Sequence, residues 1–177
     1  MLKLMYITKD PIIGEIAQRA GVDWIFVDLE YIGKKERQAD RNTVISAHTI
    51  EDVKKMRKII KDSQLLVRIN PIGEWSKKEV DDVIYSGADI IMLPFFKTAL
   101  EVETFLLLVN SRVKTCLLVE TMEAVKNIDE ILNIKGIDFV HSGLNDIHIE
   151  TLRDADDITG TITGDNEDGK IMGRFEL

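Results

Sequence analysis

The sequence predicts an α/β fold built on a parallel sheet, and three observations carry the prediction. Apolar runs of strand length alternate with segments of helical period. The connections between them are short, as βα units on a parallel sheet require. Charged and amide residues enter the strands at their C-terminal ends, the face on which parallel α/β folds collect ligands.

Each element has its own signal. LKLMYIT (2–8) is the first predicted strand. Asp10 and Pro11 then supply an N-cap and a first-turn proline for a helix to about Ala20, closed by Gly21. WIFVDLE (24–30) is the second strand, and a polar loop containing Lys34, Lys35 and Arg37 leads to Thr49 and Asp52, a capping-box variant that opens TIEDVKKMRKIIK. QLLVRIN (64–70) is the third strand and ends at Pro71; Ser76 and Glu79 form a second predicted capping box, on a helix that runs to Gly87. DIIMLPF (89–95) is the fourth strand, and Thr98 and Glu101 cap a helix to about Asn110. KTCLLVE (114–120), a helix over MEAVKNIDEILNIKG to Gly136, and DFVHSGL (138–144) complete the series.

Six strands and five helices therefore occupy residues 1–147 as one domain, a count that fits both a barrel and an open doubly wound sheet. The 177 residues suit one domain and fall short of the roughly 250 that a complete (β/α)8 barrel usually takes. Residues 148–177 break the alternation, carry eight acidic and three basic residues, and are read as an acidic C-terminal extension, either a β-hairpin or a tail.

Composition excludes several function classes. With 45% hydrophobic and 31% charged residues the chain lies far from the signature of disorder. A net charge of −8 without a basic stripe argues against a nucleic-acid partner. No stretch approaches the ~20 apolar residues of a membrane span, and MLKLMYITKD lacks the pattern of a signal peptide. The lone Cys116 precludes an internal disulfide and fits a reducing compartment. The expectation is a cytoplasmic protein.

Chemistry is concentrated at the strand ends. Asp28 and Glu30 share one side of the second strand, Arg68 and Asn70 one side of the third, and Glu120 shares its side with Leu118 and Cys116; the sixth strand runs into Asn145 and Asp146. Singly, each carboxylate is explained by a helix cap or an ion pair, and Asp28 by holding the loop that follows it. As a set they predict several carboxylates around one arginine, for which a hard divalent cation, magnesium or manganese, is the simplest compensation.

At this point GVDWIFVDLE (21–30), LLVRIN (65–70), SGADIIMLPFFKTALEVE (86–103), LLVETMEAVKNIDEIL (117–132) and GIDFVHSGLNDI (136–147) together resemble the HpcH/HpaI aldolase and citrate lyase β-subunit family. The resemblance implies a TIM-barrel-like fold, with about six of eight βα units recognisable. It also implies Mg²⁺ or Mn²⁺ held by Glu120 and Asp146, with Arg68 contacting a 2-keto acid and Glu30 and Pro94 lining the substrate site. The implied reaction is carbon–carbon cleavage of a 2-keto acid through a pyruvate enolate, in a homo-oligomer. Cleavage of an acyl thioester, as in citrate lyase, and a non-catalytic or truncated relative that binds a metabolite or partner are the alternatives.

Two departures stand out. The family's histidine base directly after D-x-E is Tyr31 here, a phenol with an ordinary pKa near 10 that stands as a catalytic candidate, to donate a proton or position a water, or as a packing residue; His48, His141 and His148 are the candidate substitutes, with His141 expected in the core. After GLNDI no seventh and eighth units follow. Lys97, just after the fourth strand, is the one lysine placed for a Schiff-base aldolase.

Overall fold

Strand order decides between the two architectures that fit the alternation. In the computed structural model, β1 (Met5–Ile7), β2 (Trp24–Asp28), β3 (Gln64–Arg68), β4 (Ile90–Leu93), β5 (Lys114–Val119) and β6 (Phe139–Ser142) lie side by side in chain order, and every pair is parallel. A doubly wound sheet reverses its order at a switch point; here each crossover steps the same way, and the sheet curls into a half-barrel. Trp24 on β2 and Phe139 on β6 pack edge-on with ring centroids 4.8 Å apart. Four strand spacings of roughly 4.8 Å would hold them about 19 Å apart in a flat sheet, so the contact spans the concavity. The structure describes residues 3–32, 48–144 and 147, and the backbone of 162–163 and 174–175.

Between the strands run α1 (Pro11–Arg19), α2 (Ile50–Ile59), α3 (Ser76–Tyr85), α4 (Ala99–Val109), α5 (Met122–Lys126) and α6 (Ile128–Leu132). Their starts follow the expected caps in three cases. Asp10 Oδ1 accepts the Ile12 N–H at 2.8 Å, Asp52 Oδ2 accepts the Thr49 N–H at 2.9 Å, and Glu101 Oε2 accepts the Thr98 N–H at 2.9 Å while Thr98 Oγ1 accepts the Glu101 N–H at 3.3 Å. The Ser76–Glu79 box does not form. Ser76 is already helical and its hydroxyl accepts the Gly73 N–H, while Glu79 turns to the backbone and side-chain N–H groups of buried Asn70, which need an acceptor more than an exposed helix end does. The single helix expected before Gly136 is two short ones, broken at Asn127, whose Nδ2 is anchored on the Lys97 carbonyl at 3.0 Å.

Alternation along each strand sorts the core into two layers. The outer face of the sheet, including Ile25, Val27, Leu65, Val67, Ile91 and Leu117, packs against Ala17, Val53, Met56, Val80, Val102 and Phe105 from the helices. Trp24, Leu66, Ile90, Met92, Cys116 and Leu118 fill the concave interior. Cys116 is part of that filling: burial pushes its thiol up to about 12, so it packs rather than reacts. Beyond this sheet, β7 (Ile162–Thr163) pairs antiparallel with β8 (Arg174–Phe175), as the hairpin alternative expected; its acidic tip lies outside the described residues, as do Lys34, Lys35 and Arg37. Among the described residues no helix is long and apolar enough to cross a membrane.

Candidate active site

Sheet register roots the site. Asp28, Arg68, Met92, Cys116 and Phe139 form one row of paired residues across five strands. Side by side on the inner face, Arg68 and Asp28 make a two-bond fork, Nε to Oδ1 and Nη2 to Oδ2, both 2.8 Å. Arg68 Nη2 also lies 3.3 Å from Glu30 Oε2, and the guanidinium covers the Phe26 ring at 5.5 Å. Burial opposes the Arg68 charge, but the Asp28 hydrogen bonds and the charges of Asp28, Glu30 and Glu120 outweigh it and raise its pKa above the ordinary value. Among the described residues Arg68 Nη1 makes no hydrogen bond, which leaves one edge of the fork for a ligand.

Asp28 is 1% exposed and does the structural work expected of it: besides Arg68, its Oδ1 accepts the Glu30 N–H at 3.2 Å, while its own N–H donates to His48 Nδ1 at 3.0 Å. Glu120, only 4% exposed, follows β5, and its Oε1 accepts the Phe95 N–H at 3.0 Å. Phe95 adopts φ +50°, a left-handed conformation rare for a bulky residue, directly after buried Pro94. On the other side of Glu120 lies Gly143. A Cβ there would stand 2.9 Å from Glu120 Cβ and 3.2 Å from its Oε2, so only glycine lets the chain after β6 close on this carboxylate.

Asn70 organises the loop after β2. Its Oδ1 accepts the N–H groups of Tyr31 and Ile32, both at 3.0 Å, while its Nδ2 donates to Glu79 Oε1 at 2.6 Å. The Tyr31 side chain is 67% exposed and, with His48, Trp75 and Glu79, lines a cleft of about 450 Å³ between the starts of α2 and α3. Lys97 Nζ donates to Glu123 Oε1 at 3.0 Å.

The structure thus brings Arg68, Glu30, Glu120 and Pro94 to one end of the half-barrel, with Tyr31 at its margin; Asn145, Asp146 and His148 lie outside the described residues. Among the described residues no three His, Cys, Asp or Glu side chains form a group that could hold a metal ion. Glu120 is the described member of the expected pair, and a buried carboxylate oriented by the Phe95 N–H is a fitting hard-oxygen donor for such an ion. Three features were not anticipated: the Phe95 N–H, the close approach of Gly143, and the exposure of His141, expected in the core. Counting alternate residues back from Gly143 along its strand would have placed His141 on the inner face.

A family model described as HpcH/HpaI aldolase/citrate lyase matches residues 3–158. The chain belongs to that family. The match extends past GLNDI, where the resemblance was expected to stop. No curated protein matches the chain. Among solved structures, the citrate synthase SbnG superposes with a TM-score of 0.66 at 18% identity over 84% of this chain and 62% of its own. The HpcH/HpaI aldolase of Desulfitobacterium hafniense DCB-2 gives 0.65 at 20% over 84% and 64%, and macrophomate synthase 0.62 at 13% over 84% and 57%. These likenesses establish the family's fold, and the chain spans less than two thirds of the length of those neighbours.

Proposed function

We propose that this site is a metal-dependent carbon–carbon lyase centre that cleaves a 2-keto acid by way of pyruvate enolate. The observation that carries the reading is the buried Arg68, forked on Asp28 and flanked by Glu30 and Glu120, with Nη1 making no hydrogen bond among the described residues. A divalent cation held by Glu120 and Asp146 would supply Lewis-acid polarisation of the keto oxygen. Arg68 Nη1 then donates to the oxygen on which negative charge develops, and Asp28 keeps that guanidinium oriented without reorganisation during the reaction. The Phe95 N–H holds the Glu120 carboxylate in one orientation. Pro94 and the interior side chains below it exclude water from one side of the substrate.

The test is binding of pyruvate, followed by calorimetry. It is expected with Mg²⁺ or Mn²⁺, absent in EDTA, and lost in Glu120→Ala and Asp146→Ala; binding that ignores the metal overturns the reading. Tyr31, exposed where the family has a histidine, favours a second reading, a non-catalytic relative. That reading predicts metal-dependent binding of pyruvate without any exchange of its methyl protons.

A further inference from the structure

We propose that His141, on the inner face of β6, is the proton-transfer group of this site; the proposal rests on the lyase reading above. Phe139 and His141 share one face of β6, since alternate residues of a strand do. Phe139 lies in the interior, edge-on to Trp24 and paired with Cys116, so His141 faces the interior too. Its register partner is Leu118, two residues before Glu120, and it stands two residues before the glycine that closes on Glu120. The row that roots Arg68 passes through Phe139, which puts the imidazole one step nearer the C-terminal mouth than that row.

The surroundings suit a base. The imidazole keeps an exposed surface, and among the described residues it makes no hydrogen bond or ion pair. Partial desolvation and then the Arg68 charge hold its pKa below the ordinary histidine value, which favours the neutral ring. The carboxylates able to oppose this, Asp28, Glu30 and Glu120, are themselves engaged by Arg68 or the Phe95 N–H. Among the described residues neither rival is placed as well. Tyr31 is an exposed phenol lining the cleft between α2 and α3, and His48 commits Nδ1 to the Asp28 N–H.

In the cleavage direction the neutral imidazole takes the proton of the C4 hydroxyl of a 4-hydroxy-2-keto acid. The released O–H electron pair forms the aldehyde carbonyl, the C3–C4 bond breaks, and its electron pair becomes the enolate. Protonation of C3 by the imidazolium yields pyruvate and restores the neutral ring, so one proton is taken and one returned.

The half-reaction is read directly as exchange of pyruvate methyl protons in D₂O, followed by proton NMR with the full chain and Mg²⁺. Wild type is expected to exchange. His141→Gln is expected to bind pyruvate as wild type does and to exchange about 10²–10⁴-fold more slowly, and added imidazole to restore exchange to His141→Gly. Exchange at the wild-type rate in His141→Gln overturns the proposal and leaves the lyase reading standing. Absence of Mg²⁺-dependent pyruvate binding in wild type overturns that reading, and this proposal with it.

Discussion

Acidic residues crowd both ends of the half-barrel, and the two ends use them in opposite ways. At the N-terminal end, Asp23, Asp89 and Asp138 precede β2, β4 and β6, and each accepts a backbone N–H from the preceding strand's segment: Leu4 at 2.9 Å, Leu65 at 2.7 Å and Thr115 at 2.8 Å. Each stands two residues after a glycine at positive φ, Gly21, Gly87 and Gly136. At Gly87 the requirement is also steric, because a Cβ would lie 2.6 Å from Arg57 Cγ. These carboxylates stitch neighbouring strands together, and Asp23 and Asp89 pair in addition with Lys3 and Arg57 on the same end. At the C-terminal end Asp28, Glu30 and Glu120 gather around one guanidinium, whose Nη1 makes no hydrogen bond among the described residues. A carboxylate tied to the neighbouring strand's backbone reads as stability, and a set that converges on one guanidinium reads as chemistry, even though Asp28 and Glu120 each also accept a backbone N–H.

Removing one acid from each end breaks this contrast if it is wrong. Asp28→Ala strips the fork from a buried arginine, and removing one partner of a buried ion pair typically costs about 3–5 kcal/mol; urea unfolding should show that loss, and calorimetry the loss of pyruvate binding. Asp89→Ala leaves the Leu65 N–H without its carboxylate and Arg57 without its 2.7 Å partner. Because the Asp89 side chain is 38% exposed, water takes over part of the role, and the expected cost is smaller, about 1–2 kcal/mol. Pyruvate binding should survive that second change. Equal losses of binding in the two variants would show that the ends are not separate.

The same contrast explains what the sequence made legible. Strand and helix positions followed from apolar runs and caps, and Asp28, Glu30, Arg68 and Glu120 could be gathered from period-two alternation alone. The barrel sense could not, because alternation does not state strand order; the family resemblance supplied it, and the parallel order from β1 to β6 bears it out. Nor could the Phe95 N–H be foreseen, since no glycine marks its left-handed backbone. Ser76 and Glu79 were misleading for a related reason. A capping box is a local pattern, and a buried amide nine residues upstream outbid it for the Glu79 carboxylate.

That diversion of Glu79 gives the smallest effect expected here, one read through pH. Burial holds its carboxyl above the ordinary range, with the Asn70 hydrogen bonds pulling the other way and only partly offsetting it. A carboxyl whose folded pKa is raised favours the folded state below its unfolded pKa, and that contribution is lost as pH rises through the folded value. The stability difference between wild type and Glu79→Gln should therefore shift against wild type between about pH 4 and about pH 7, measured as urea midpoints at the two values. Glu79 also holds Asn70, which holds the backbone of Tyr31 and Ile32. A shift in the opposite direction would mean that the Asn70 hydrogen bonds outweigh burial and favour the ionised carboxylate. Glu79 would then belong with the strand-stitching acids of the other end, a charge kept because the backbone needs it.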